Sequence, residues 1–118
     1  LSLDVFATAA KLAKAKLQKG KSYDGVDLLP HLQGKRKDPP RRNLFWRVGN
    51  LAALRKGDWK IVRGNRKEKA AWELYDLAAD SGEENNLAAK RSDKLKELET
   101  EWEKMNAGMK GPVWFPKR

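Results

Sequence analysis

The sequence predicts an α+β fold: a four-stranded antiparallel sheet packed against a long C-terminal helix and preceded by an N-terminal helix. Three observations predict it. Between residues 43 and 77, apolar runs alternate with brief turns, connections too short for the crossovers that parallel pairing needs. Over 92–107, Leu95, Leu98, Trp102 and Met105 recur at helical spacing, a stripe suited to covering one sheet face. Residues 3–19 are rich in Ala and Lys, with Val5, Ala9, Leu12 and Ala13 on one side of a helix.

The elements follow in order. In the 3–19 helix, Ser2 is the expected N-cap, Asp4 favours the positive end, and Gly20 is the expected terminator. Its Ala-rich side is narrow and suits close packing against a larger body. Gly25 and Gly34 bracket a short apolar stretch, read as one helical turn capped by Asp27. Lys35–Arg42, with Pro39, Pro40 and five basic residues, reads as an exposed loop. Asn43–Val48, Leu51–Arg55, Trp59–Arg63 and Trp72–Leu77 read as strands, the middle pair joined at Lys56-Gly57-Asp58. Gly64–Lys69 reads as a basic turn, Ser92 as the cap of the last helix, and Gly111–Pro116 as an apolar extended tail. Trp59 and Trp72 are expected to pack under that helix with Trp102.

Composition bounds the chemistry. With 118 residues, 40% hydrophobic and 36% charged, the chain has the length and balance of one globular domain, and five Trp, two Tyr and three Phe can fill a small core. The absence of cysteine excludes disulfides, thiolate metal sites and a cysteine nucleophile. No apolar run approaches the roughly 20 residues of a membrane helix, so no membrane partner is expected. No signal peptide is visible, and the start at Leu1 fits a processed or trimmed fragment. The net charge of +10 is uneven: residues 1–71 carry 18 basic and 6 acidic groups, residues 72–118 carry 8 and 10. A basic front could meet an anion such as nucleic acid, an acidic polysaccharide or an acidic partner surface.

Four segments, in order, resemble the C-terminal part of the sulfatase family. Leu3-Asp4-Val5-Phe6-Ala7-Thr8 is similar to the family's helix opening, where many members have Pro in place of Ala7. Asp24-Gly25-Val26-Asp27-Leu28-Leu29-Pro30, with Leu32 and Gly34, resembles its Asp-Gly-x-x-Leu-x-Pro-x-Leu-x-Gly passage. Leu44-Phe45-Trp46-Arg47 and Ala53–Val62 resemble its first small-sheet strands, and Glu73-Leu74-Tyr75-Asp76-Leu77 through Asn86-Leu87 its Glu-Leu-Tyr-Asp-Leu…Glu-x-x-Asn-Leu signature.

The resemblance implies that residues 1–42 are the C-terminal end of the sulfatase catalytic domain, N-terminal helix included, and residues 43–118 its C-terminal subdomain. It implies a sulfuric ester hydrolase whose nucleophile is a formylglycine made from a Cys/Ser-x-Pro-x-Arg motif, beside a calcium held by Asp and Asn. Neither is expected in this chain, which has no Cys and no Ser followed by x-Pro-x-Arg. The 118 residues alone are therefore predicted inactive, with no catalytic and no metal-binding residue. The implied partners are the sulfatase catalytic domain and a sulfated small molecule or glycan, and the implied location is periplasmic or secreted.

Trp46 and Arg47 are the candidate substrate-binding residues. In the family the small sheet lies near the active-site mouth, where an aromatic ring could stack on a sulfated sugar and a guanidinium could clamp an anion. Adjacent strand residues point to opposite faces, so only one of the two is expected to do so. His31, the single histidine, reads as a packing or surface residue for want of partners. Asp80, Glu83, Glu84, Asn85 and Asn86 supply hard oxygens but lack the alternation of a calcium loop, and read as a turn closed by local side-chain bonds. Two competing readings come from other classes. One is a small basic nucleic-acid-binding module using strand aromatics as stacking platforms, against which the acidic C-terminal half stands. The other is a freestanding interaction domain.

Overall fold

A computed structural model of the chain describes residues 1–21, 23–40, 43–64 and 70–110. The chain divides into two compact units, Leu1–Arg42 and Asn43–Arg118.

In the first unit, helix α1 spans Leu3–Leu12, well short of the expected end at residue 19. Lys14 adopts a left-handed backbone (φ 50°). Its N–H donates to Lys11 O (3.1 Å), and Ala15 N–H donates to Ala10 O (2.9 Å), the double closure that satisfies the last carbonyls of a helix. Gly20, the expected terminator, lies in a later turn. Ser2 has helical dihedrals and makes no side-chain cap bond, because a capping oxygen reaches back to the first amides only from an extended backbone.

Polar contacts hold this unit beside one aromatic stack, Phe6 on Tyr23 (centroids 5.7 Å apart). Asp4 is buried, and its Oδ1 accepts the N–H of Val26 (2.9 Å). One turn on, Thr8 Oγ1 accepts the N–H of Leu28 (3.0 Å) and donates to Asp4 O (2.7 Å). The passing segment lies so close that a Cβ on Gly25 would stand 2.2 Å from Leu3 O, which is why glycine is required there. Helix α2, the single turn Leu29–Leu32, starts where Asp27 Oδ1 accepts the N–H of Leu29 (3.0 Å), as expected. Val5 and Leu12, on the apolar side read from the sequence, are 68% and 60% exposed. Of the Lys35–Arg42 run, Arg36 pairs with Asp38, while Arg41 and Arg42 lie outside the described residues.

The second unit is a meander: β1 Asn43–Val48, β2 Leu51–Lys56, β3 Trp59–Arg63 and β4 Glu73–Asp76, all antiparallel, in the order β1-β2-β3-β4. Gly49 and Gly57 supply the left-handed residues of the two tight turns (φ 58° and 63°). Helix α3, Ser92–Ala107, covers one face. Leu54, Ile61, Leu74 and Leu98 are fully buried there, with Ala52 and Trp102, while Phe45, Trp59, Trp72, Leu87, Leu95 and Met105 pack around them. Ser92 is the first helical residue rather than the cap. Arg91 holds the cap position without a side-chain cap bond.

The segment after β4 closes that sheet edge. Leu87 N–H donates to Leu74 O (2.7 Å), and Asn86 Oδ1 accepts both Leu74 N–H (3.1 Å) and Ala88 N–H (2.9 Å). The amide side chain thus stands in for a fifth strand. The Gly64–Lys69 turn beyond Gly64 and the Gly111–Pro116 tail lie outside the described residues.

Candidate functional site

Register sorts the side chains of β1 onto two faces. Trp46 is paired across the sheet with Ala53, and Ala53 with Val62. This row lies on the face away from α3, and the small Ala53 leaves the indole standing clear, 42% exposed, with Val48 65% exposed beside it. Arg55 and Lys60 bring two cations to the same face, on a paired row. Arg55 Nε donates to Gly57 O (2.8 Å), and Lys60 pairs with Glu83.

The other three side chains of β1 that alternate inward all grip α3. Asn43 Nδ2 donates to Glu101 Oε1 (2.9 Å), Phe45 stacks on Trp102 (centroids 5.5 Å apart, 19° between planes), and Arg47 Nη1 donates to Asn106 Oδ1. Arg47 Nη2 also donates to Lys110 O (2.6 Å), just past the helix end. Trp46 and Arg47 therefore occupy different environments, one open and one bound to the helix.

The tryptophan cluster matches the sequence reading and adds a cation to it. Trp72 meets Trp102 edge-on at 5.3 Å, and the Arg63 guanidinium lies over both rings at 4.6 and 5.2 Å. Arg91 and Lys94 flank Trp59. Sequence reasoning missed Arg63; its place at the end of an apolar strand beside Trp72 was the available signal.

The acidic loop is internally consumed. Asp80 accepts the N–H groups of Asn85 (2.8 Å) and Glu84 (3.1 Å), which hold its carboxyl below the ordinary range. Glu83 serves Lys60, and Asn86 serves the backbone. Among the described residues no group of three or more His, Cys, Asp or Glu side chains could hold a metal. Tyr75 is buried and donates to Glu73 Oε2 (2.8 Å); that bond and burial push the phenol up to about 12. His31 sits in α2. No helix among the described residues is long and apolar enough to cross a membrane.

No protein-family model matches the chain. It is 41% identical over 58 residues to an uncharacterized sulfatase of Schizosaccharomyces pombe, covering 48% of this chain and 10% of that protein. It is 29% identical over 111 residues to an N-acetylgalactosamine-6-O-sulfatase of Bacteroides thetaiotaomicron, covering 81% and 21%. Among solved structures it superposes on one from the work on metabolism of multiple glycosaminoglycans by Bacteroides thetaiotaomicron, with TM-score 0.73 and 27% identity over 88% of this chain and 24% of that one. It has the fold of part of a 2-O GAG sulfatase (TM-score 0.66, 24% identity, 88% and 24% covered) and of a protein solved with a neocarrahexaose (0.75, 23%, 97% and 26%).

Sheet and helix define the class, an α+β fold. Sulfatases match most of the chain, which is similar to the C-terminal part of such proteins. It spans about a tenth and a fifth of the length of the two curated relatives it matches.

Proposed function

We propose that this chain is the C-terminal portion of an enzyme that hydrolyses sulfate esters, supplying scaffold and part of the active-site rim while the nucleophile and metal lie elsewhere. In this reading residues 1–42, α1 included, complete the catalytic domain and residues 43–118 form the appended subdomain. One observation carries it: nearly the whole chain superposes on only about a quarter of each neighbouring structure, at TM-scores of 0.66 to 0.75. The open apolar face of α1 supports the assignment of the first unit, since Val5 and Leu12 expose surface that a larger domain would cover.

The formylglycine and calcium of the complete enzyme would supply the attacking oxygen and the charge neutralisation. This portion would not touch them. Trp46 is the residue positioned to meet a substrate, by stacking its exposed indole on a sugar ring. The class of substrate follows the relatives, a sulfated glycan or a smaller sulfate ester, and such a substrate fits a periplasmic or secreted enzyme.

Grafting tests the reading. Replacing the C-terminal fifth of the N-acetylgalactosamine-6-O-sulfatase with this chain should give a folded enzyme that still cleaves sulfate esters. The 118-residue chain alone should leave 4-nitrophenyl sulfate intact. Turnover by the isolated chain, or a graft that never folds with any boundary near residue 1, would refute the proposal.

A further inference from the structure

We infer that Arg47 is a positioning residue: it fixes Trp46 by tying edge strand β1 to the C-terminal end of α3, and it does not itself bind the substrate anion. The inference rests on the reading of Trp46 as a rim residue and goes beyond it. Among the described residues β1 is an edge strand with one hydrogen-bonded neighbour, β2. Such a strand frays easily unless something else holds it. Here the hold comes from α3. Asn43, Phe45 and Arg47 engage Glu101, Trp102 and Asn106 in turn, so alternate residues of the strand are held by the last two turns of the helix.

Arg47 is the last of these contacts and, with Phe45, flanks Trp46. Each of its two terminal nitrogens donates once, to Asn106 Oδ1 and to the carbonyl of Lys110. Three N–H donors remain, but these two bonds hold the guanidinium on the helix side of the sheet, the face opposite the Trp46 indole. Beyond Arg47 only Val48 remains before the Gly49-Asn50 turn, and Val48 faces outward, 65% exposed. The direction of the Trp46 indole therefore depends on a contact made through the strand, on its opposite face.

The test uses the 118-residue chain, with heparin-derived sulfated disaccharide as probe and the Trp46 indole N–H followed by NMR. Without ligand, Arg47→Met and Asn106→Ala should each shift or broaden the Trp46 indole signal and speed amide exchange of Phe45–Val48 at least tenfold, leaving Ile61–Arg63 slow. Both should weaken disaccharide binding several-fold to similar extents, with an unchanged dependence on salt. Arg47→Lys, which keeps the charge and one donor nitrogen, should restore part of the loss.

If Arg47 instead binds the anion, Asn106→Ala leaves affinity intact while Arg47→Met lowers both affinity and its salt dependence. That result overturns the inference, as does a Trp46 signal indifferent to both changes. Trp46→Ala separates the two levels. Undiminished binding in that variant, or no binding by the parent chain, sinks the rim reading, while the ligand-free signals still decide whether Arg47 positions the strand.

Discussion

The two units of this chain are held together by opposite means. In residues 43–118 the sheet and α3 bury a continuous apolar core, and the polar groups sit at its margins. Among the described residues of 1–42 the only buried side chain is a carboxylate, Asp4, and the apolar side chains Val5, Phe6, Leu12 and Leu32 are more than half exposed. The first unit keeps its shape through two side-chain oxygens that accept backbone N–H groups 20 and 22 residues away. Hydrogen bonds of this kind contribute only about 1 kcal/mol each, whereas full burial of one leucine contributes about 2 kcal/mol and is repeated through a core. The second unit is thus built to stand alone. The first leaves its apolar side chains exposed, which the proposed function explains by a larger domain that would cover them.

Substitutions can break or sharpen that contrast. The largest effect belongs to the core of the second unit. Leu98→Ala should destabilise it by about 2–5 kcal/mol in urea unfolding, because Leu98 is fully buried between helix and sheet. A loss under 1 kcal/mol would mean that the helix is not docked as described. Next comes Asp4→Ala, which leaves the Val26 N–H without its acceptor at a cost of about 1–3 kcal/mol. Amide exchange should rise over Gly25–Leu29 while the unfolding midpoint of the second unit stays fixed; a shift in that midpoint would contradict the independence of the two units.

Smaller effects follow. Asn86→Ala should cost about 1–2 kcal/mol and speed exchange at Leu74. Lys56→Ala, which breaks the exposed pair with Glu97 (2.8 Å), should cost about 0.2–1 kcal/mol and less at high salt. The subtlest signal is alkaline. The Tyr75 phenol is raised in the folded state, so its contribution is complete below its unfolded value near 10 and is lost as pH climbs toward about 12. Tyr75→Phe should remove that part of the pH dependence, read as unfolding midpoints between pH 9 and 12.

Much of the second unit was legible in the sequence. Strand positions followed from the apolar runs and from Gly57, and the helix face from Leu95, Leu98, Trp102 and Met105. These signals are local, repeated and mutually consistent. The first unit was harder for a physical reason. Its helix stops at Lys14, a residue type with no preference for a left-handed backbone, while the more obvious Gly20 lies too late. Its clamps join residues far apart in sequence, so Asp4 reads as an ordinary first-turn acid. At the candidate site, the alternation of Trp46 and Arg47 across the strand was readable. The attachment of Arg47 to Asn106, 59 residues on, was not.

The Asn86 carboxamide has one further consequence, for how copies of this chain could meet. By taking the Leu74 N–H, it removes the foothold that a foreign strand would seek along β4. Among the described residues, the border left for side-by-side growth of the sheet, whether into a dimer or an unwanted fibre, is the opposite one at β1. Crowding of misfolded copies should therefore begin at Asn43–Val48, and a lysine or proline placed there is the natural remedy.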